Sequence, residues 1–193
     1  MNKRFFWTLC VFLSSLLEGK VVDINSTLSF VEIEHDGIRV KIERVLEKGL
    51  SSHSLSELQP MQIGEVKTLG ELEVLTFIQK SKKDARLMLI DSRTKRWYHK
   101  ETIASAINLP FSMLEEKSAY QKKIITLLGG IYRNQQWDFS DVNTLLIFGN
   151  SLFDIQATSA IKSLIKLGYP QEKLLYFRGG IESWKRLNLS VIH

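Results

Sequence analysis

One cysteine, Cys10, stands among the 193 residues. It lies in an apolar stretch that reads as a leader, so the processed chain contains no thiol. Within that chain no disulfide, no zinc–cysteine site and no cysteine nucleophile can be built. Clustered positive charge is equally scarce. The formal net charge is +5, and the leader carries Lys3, Arg4 and Glu18, so its loss leaves +4. The remaining Lys and Arg are scattered among acids, without the basic stripe of a nucleic-acid-binding protein. Lys80-Ser81-Lys82-Lys83 reads as a solvated helix end. Long apolar runs are missing too. Phe5–Leu17, 13 residues broken only by Thr8, Ser14 and Ser15, is too short for a membrane span and right for a signal-peptide core. Met1–Arg4 supplies the basic start, and Leu17-Glu18-Gly19 an imperfect cleavage site. We expect residues 1–19 to direct export to a periplasmic or secreted location. The alternative is an uncleaved leader, which would be the route to a membrane. Cys10 does not suit lipidation, because Leu9 before it is bulky. The chain has no internal repeat and no low-complexity segment.

What is present centres on Thr144 to Trp184. Thr144–Phe148 is an apolar run expected of a strand buried on both faces. A loop follows, Gly149, Asn150, Ser151, Leu152, Phe153, Asp154 and Ile155. The spacing of Ala160, Ile161, Leu164 and Ile165 predicts a helix over about 156–167, stopped by Gly168. Lys173–Phe177 reads as a second buried strand, and Gly179-Gly180 opens a short helix carrying Trp184. Strand, loop and helix N-terminus together present backbone N–H groups to an anion.

Upstream, Ser29–Arg44 reads as a hairpin turning at Asp36-Gly37, pairing Ile33 with Val40 and Val31 with Ile42. Two strands alone are marginal, so this apolar face is expected to pack on the main domain or on a partner. Val45–Ile63 is polar and irregular. Thr68 to Glu71 reads as a capping box opening a helix to about Lys80, with Leu72, Leu75 and Ile78 inward. Leu87–Ile90 is a buried strand ending in Asp91-Ser92-Arg93. His99 is expected in a loop, without a nucleophile to serve. Ser112 and Glu115 form a second capping pattern before an amphipathic helix near 119–128, which Gly129-Gly130 ends. Alternating strands and helices predict an α/β fold, a parallel sheet flanked by helices with an N-terminal β-hairpin extension. In such sheets ligands sit beyond the carboxyl ends of the strands, which places the 149–155 loop near Arg93 and residues 99–105. The expected division is 1–19 leader, 20–67 hairpin and irregular extension, and 68–193 main domain.

Several segments resemble the rhodanese family, whose domains carry sulfane sulfur on a loop cysteine. The tail Leu167-Gly168-Tyr169-Pro170, Lys173-Leu174, Tyr176-Phe177-Arg178-Gly179-Gly180 and Trp184 is similar to that of a secreted rhodanese-like group with a C-N-G-x-W-C-G-Q-S loop. Thr102–Pro110, Trp137-Asp138-Phe139 and Asp91-x-Arg93 also resemble the family, across roughly residues 29–191. The resemblance implies a sulfurtransferase scaffold. It puts the two loop cysteines at Gly149 and Asp154, keeping Asn150 and Gln156, and two further cysteines at His53 and Glu57. It implies structural roles near the loop for Asp91, Arg93, Arg178, Gly179, Gly180 and Trp184.

Sulfur transfer of this kind needs a thiolate to hold a persulfide, and Gly149 has no side chain. The rhodanese-fold phosphatases need the same cysteine and a loop arginine. Ser151 is the loop's only hydroxyl and has no histidine near it in sequence. His53 and Glu57 are two loose ligands in a serine-rich loop, so no metal is expected, and no cofactor. Asp154 sits where a helix N-cap belongs, and there its carboxylate takes the place of an external anion. The leading reading is a catalytically inactive binding or accessory module, meeting a protein partner through Leu152 and Phe153. The alternative is a sulfurtransferase-family enzyme that works without a loop cysteine.

Overall fold

The computed structural model describes residues 20–46 and 57–193. The leader, Cys10 and His53 lie outside the described residues.

Three strands come first: β1 (Lys20–Val22), β2 (Phe30–His35) and β3 (Ile38–Leu46), in antiparallel order β1-β3-β2. The Asp36-Gly37 turn forms as the dipeptide predicts, with φ of 51° and 75°, both left-handed. Its register is the expected one, Ile33 opposite Val40 and Val31 opposite Ile42. The predicted burial of this face against the main domain does not occur. Val31, Ile33, Val40 and Ile42 are 40%, 53%, 38% and 52% exposed. The reason lies in placement: within the three strands only Val22, Glu43, Arg44 and Leu46 are half-buried, so the turn end of the hairpin projects beyond the main domain.

The main sheet is parallel throughout and runs β4 (Lys67–Thr68), β10 (Leu174–Phe177), β9 (Thr144–Phe148), β5 (Leu87–Asp91), β6 (Ile107–Asn108). Strand β9 is central, and Leu145 to Phe148 are wholly buried, as an unalternating apolar run requires. Its residues divide between two cores. Leu145 and Ile147 meet α4 (Ile155–Lys166) and Ile125 of α3 (Gln121–Leu127). Leu146 and Phe148 meet Val74 and Phe77 of α1 (Glu71–Ser81) and Ile181 and Trp184 of α5 (Gly180–Arg186). Helices therefore cover both faces, as right-handed parallel crossovers do. A short helix α2 (Lys95–Lys100) follows β5, and a small hairpin, β7 (Ile131–Arg133) and β8 (Gln136–Asp138), precedes β9.

Four local expectations are corrected. Helix α1 is capped at Gly70, whose N–H donates to the Glu73 carboxylate at 3.1 Å, while Thr68 ends β4 and donates to the Met61 carbonyl. That start turns Val74 and Phe77 inward and leaves Leu72 at 74% exposure. Ser112 lies within a 3₁₀ turn, Phe111–Met113, and α3 begins at Gln121, with Ser118 Oγ accepting from the Tyr120 N–H. His99 stands on α2 rather than in a loop.

Candidate functional site

The loop between β9 and α4 emerges at the carboxyl end of the central strand, where an open parallel sheet places its ligand site. Ser92 is bonded to it from below: its N–H donates to the Phe148 carbonyl at 3.0 Å and its hydroxyl at 2.7 Å. The loop also rests on α5. Ile181 and Glu182 N–H groups donate to the Gly149 and Asn150 carbonyls at 3.2 and 2.9 Å. This approach requires glycine at 180, which has φ of 61°, because a Cβ there would stand 2.6 Å from the Gly149 carbonyl oxygen.

Asp154 is the N-cap of α4. One carboxylate oxygen accepts from the Gln156 N–H at 2.8 Å, the other from the Asn150 N–H at 2.7 Å. A free helix N-terminus and the loop amide before it are thus bridged by the chain's own anion. The capping position is the one the sequence indicates; the second donor is Asn150, a loop amide rather than a further amide of the helix. A Cβ built on Gly149 would lie 3.1 Å from the Asp154 Oδ2 and 3.4 Å from the Ala157 nitrogen. The carboxylate therefore occupies the space into which a side chain at 149 would point. Asp154→Ala is expected to cost about 0.5–2 kcal/mol, as other N-cap losses do. Urea unfolding in chloride and in sulfate checks it: sulfate should stabilise the variant more than the parent, since the variant releases the Asn150 and Gln156 amides.

Ser151 is buried, and its hydroxyl accepts from the Phe153 N–H at 3.2 Å. Among the described residues no histidine is hydrogen-bonded to it. The loop tip is roofed by the N-terminal extension. The Gln59 N–H donates to the Leu152 carbonyl at 2.8 Å, and Arg44 lies over the Phe153 ring, 4.3 Å from its centroid. Gln59 also accepts from Thr158 Oγ1 on α4 and from Arg178 Nε, each at 2.8 Å, and Leu58 is tied to Ile24. Leu152 and Phe153 are left half-buried. The sequence assigns neither Gln59 nor Arg44 a role at the loop. Gln59 sits in an irregular stretch before Pro60, and nothing in its surroundings signals burial.

Asp91 and Arg93 are completely buried and form one unit. Arg93 donates through Nε (3.0 Å) and Nη2 (2.7 Å) to the two Asp91 oxygens, and Thr102 Oγ1 adds a bond of 2.8 Å. Nη2 also reaches the Glu101 carbonyl at 2.6 Å, tying α2's exit to the strand end. The guanidinium lies 6.0 Å from the Phe148 ring centroid, beneath the loop rather than in it. Glu101 in turn bonds Lys185 of α5, whose ammonium holds its carboxyl below the usual range. Trp184 donates to the Ser190 carbonyl at 2.9 Å. The Tyr176 hydroxyl is buried without a hydrogen-bond partner among the described residues; burial pushes it up to about 12, with Arg178 opposing and Asp154 adding.

An α/β domain with a strand–loop–helix anion cradle at the end of its central parallel strand is the class these features define. The model of the rhodanese-like domain matches residues 74–187, and the chain belongs to that family. No curated protein matches it. Among solved structures, a Lactobacillus plantarum protein is 19% identical, with 65% of this chain and 87% of that one aligned at a TM-score of 0.47. A rhodanese-related protein from Thermoplasma volcanium is 21% identical over 59% of this chain and 92% of its own, at 0.38. A Rhodopseudomonas palustris protein of unknown function, described as a possible tyrosine phosphatase, is 15% identical over 69% and 99%, at 0.46.

Proposed function

We infer that this is a rhodanese-like protein that has lost sulfur-transfer chemistry and serves as a binding or accessory module of a secretory or periplasmic compartment. The observation that carries this reading is the state of the loop. It has no thiol, and the Asp154 carboxylate takes the Asn150 and Gln156 amides that would otherwise receive an anion. Gly149 stands at the position that the family resemblance gives to the sulfur-carrying cysteine. Without that nucleophile, neither a persulfide nor a phosphocysteine forms. The basic start and 13-residue apolar run support export. Leu152 and Phe153, half-buried under Gln59 and Arg44, are a composite surface with the extension rather than a free tip.

The test is a thiosulfate–cyanide and mercaptopyruvate assay on protein lacking residues 1–19. No turnover above buffer is expected. Turnover that survives iodoacetamide would establish the other reading, an enzyme working without a loop cysteine.

A further inference from the structure

The outer edge of β2 is the feature that the loop does not account for. Among the described residues β2 pairs only with β3. The two-residue turn makes His35 and Ile38 the closing pair, so residues 31, 33 and 35 exchange backbone bonds with β3. The N–H and C=O groups of Phe30, Glu32 and Glu34 consequently point away from the sheet. On one face this edge carries Val31 and Ile33, continuous with Val40 and Ile42 and with the end of β3 that meets the main domain. On the other it carries Glu32 and Glu34. Lys41, opposite Glu32, is instead bonded to Glu43 at 2.8 Å and lies over the Phe30 ring. Neither Glu32 nor Glu34 has an ion-pair partner among the described residues.

We propose that the β2 edge is a strand-addition site for an extended segment of another protein in which aliphatic and basic residues alternate. Main-chain bonds to residues 30, 32 and 34 supply the docking, and side-chain alternation supplies the selection. Its basic residues meet Glu32 and Glu34, and its aliphatic residues extend the half-exposed face of Val31 and Ile33. Strand β3 already displays the complementary pattern, Ile38-Arg39-Val40-Lys41-Ile42, on the inner side. A second copy is disfavoured as the occupant. Antiparallel pairing of β2 with itself sets Glu32 against Glu32 or Glu34, and like charges directly opposite destabilise a sheet. The proposal deepens the reading of the chain as a binding module.

The probe is a synthetic peptide, acetyl-Val-Lys-Val-Lys-Val-Arg-Val-amide, titrated calorimetrically into the full chain. A control carries Glu at the three basic positions. Saturable binding of the basic peptide alone is expected, weakened at least about tenfold by Glu32→Lys with Glu34→Lys. Glu32→Pro should weaken it as much without lowering the melting temperature, since it removes only an outward N–H. No binding up to millimolar peptide, equal binding of the acidic control, or affinity unchanged in both variants would overturn the proposal. So would a dimer in sedimentation that Glu32→Pro dissolves. Sulfur turnover would refute the non-catalytic reading while leaving these peptide results to stand or fall separately.

Discussion

Asp91→Ala is expected to destabilise the protein by about 3–5 kcal/mol, the cost of stranding a buried charge. Arg93 has no solvent to turn to, being wholly buried, and one of its terminal nitrogens already lacks a hydrogen-bond partner among the described residues. Removing Asp91 takes away the bonds to Nε, Nη2 and the Thr102 hydroxyl together with the bond from the Arg93 N–H at 3.0 Å. Among the described residues the Glu101 carbonyl is the one hydrogen-bond acceptor left to the cation. Against a typical net stability of about 5–15 kcal/mol, the loss shows as a large fall in the urea midpoint with an unchanged slope. Replacing both partners, Asp91→Leu with Arg93→Met, should be milder than either single change, because no buried charge remains. A single variant that loses less than about 1 kcal/mol would mean that water reaches this pair. The cost falls on the loop as well, since Ser92 between the two holds the Phe148 carbonyl.

The parallel sheet was legible wherever burial on both faces forces an unbroken apolar run. Thr144–Phe148 and Leu87–Ile90 announce themselves in this way, and Asp36-Gly37 fixes the hairpin register because its turn needs two left-handed residues. Asp154 was legible as a cap for an equally local reason: a carboxylate just before an apolar helical period has free N–H groups to bind. What was not legible depends on contacts distant in sequence. The β7–β8 hairpin turns at Asn134-Gln135, left-handed at 50° and 64°, a pair without the glycine that marks such turns. Strand β1 is three residues long, too short to show alternation. Gln59 reaches the loop from nearly a hundred residues away, and its burial follows from Thr158 and Arg178 closing around it. The exposure of the hairpin face is not legible either, because period-two alternation identifies an apolar side but not what covers it.

Gly149→Cys should yield a sluggish thiol while Asp154 is present and a reactive one once its charge is removed. In a Cys10→Ser background the new cysteine is the only thiol in the chain. Its Cβ lies 3.1 Å from the Asp154 Oδ2, so the sulfur develops its charge beside a carboxylate. A like charge at that range disfavours the thiolate and raises the thiol pKa. Asp154→Ser keeps an N-cap oxygen for the Gln156 amide but removes the charge, and the Asn150 amide becomes free for the thiolate. Loop amides and the dipole of α4 then act in the opposite sense, drawing a cysteine from about 8.5 into the range of about 3.5–7.5. At pH 7 the double variant should react with iodoacetamide at least about tenfold faster than Gly149→Cys alone. The thiolate fraction outweighs the lower intrinsic nucleophilicity of the more acidic thiol as long as the pKa of the single variant lies above the working pH. Circular dichroism of both variants separates altered reactivity from unfolding. Equal alkylation rates in two folded variants would show that Asp154 does not govern the charge state of this loop, and its two amide bonds would then be a cap and nothing more.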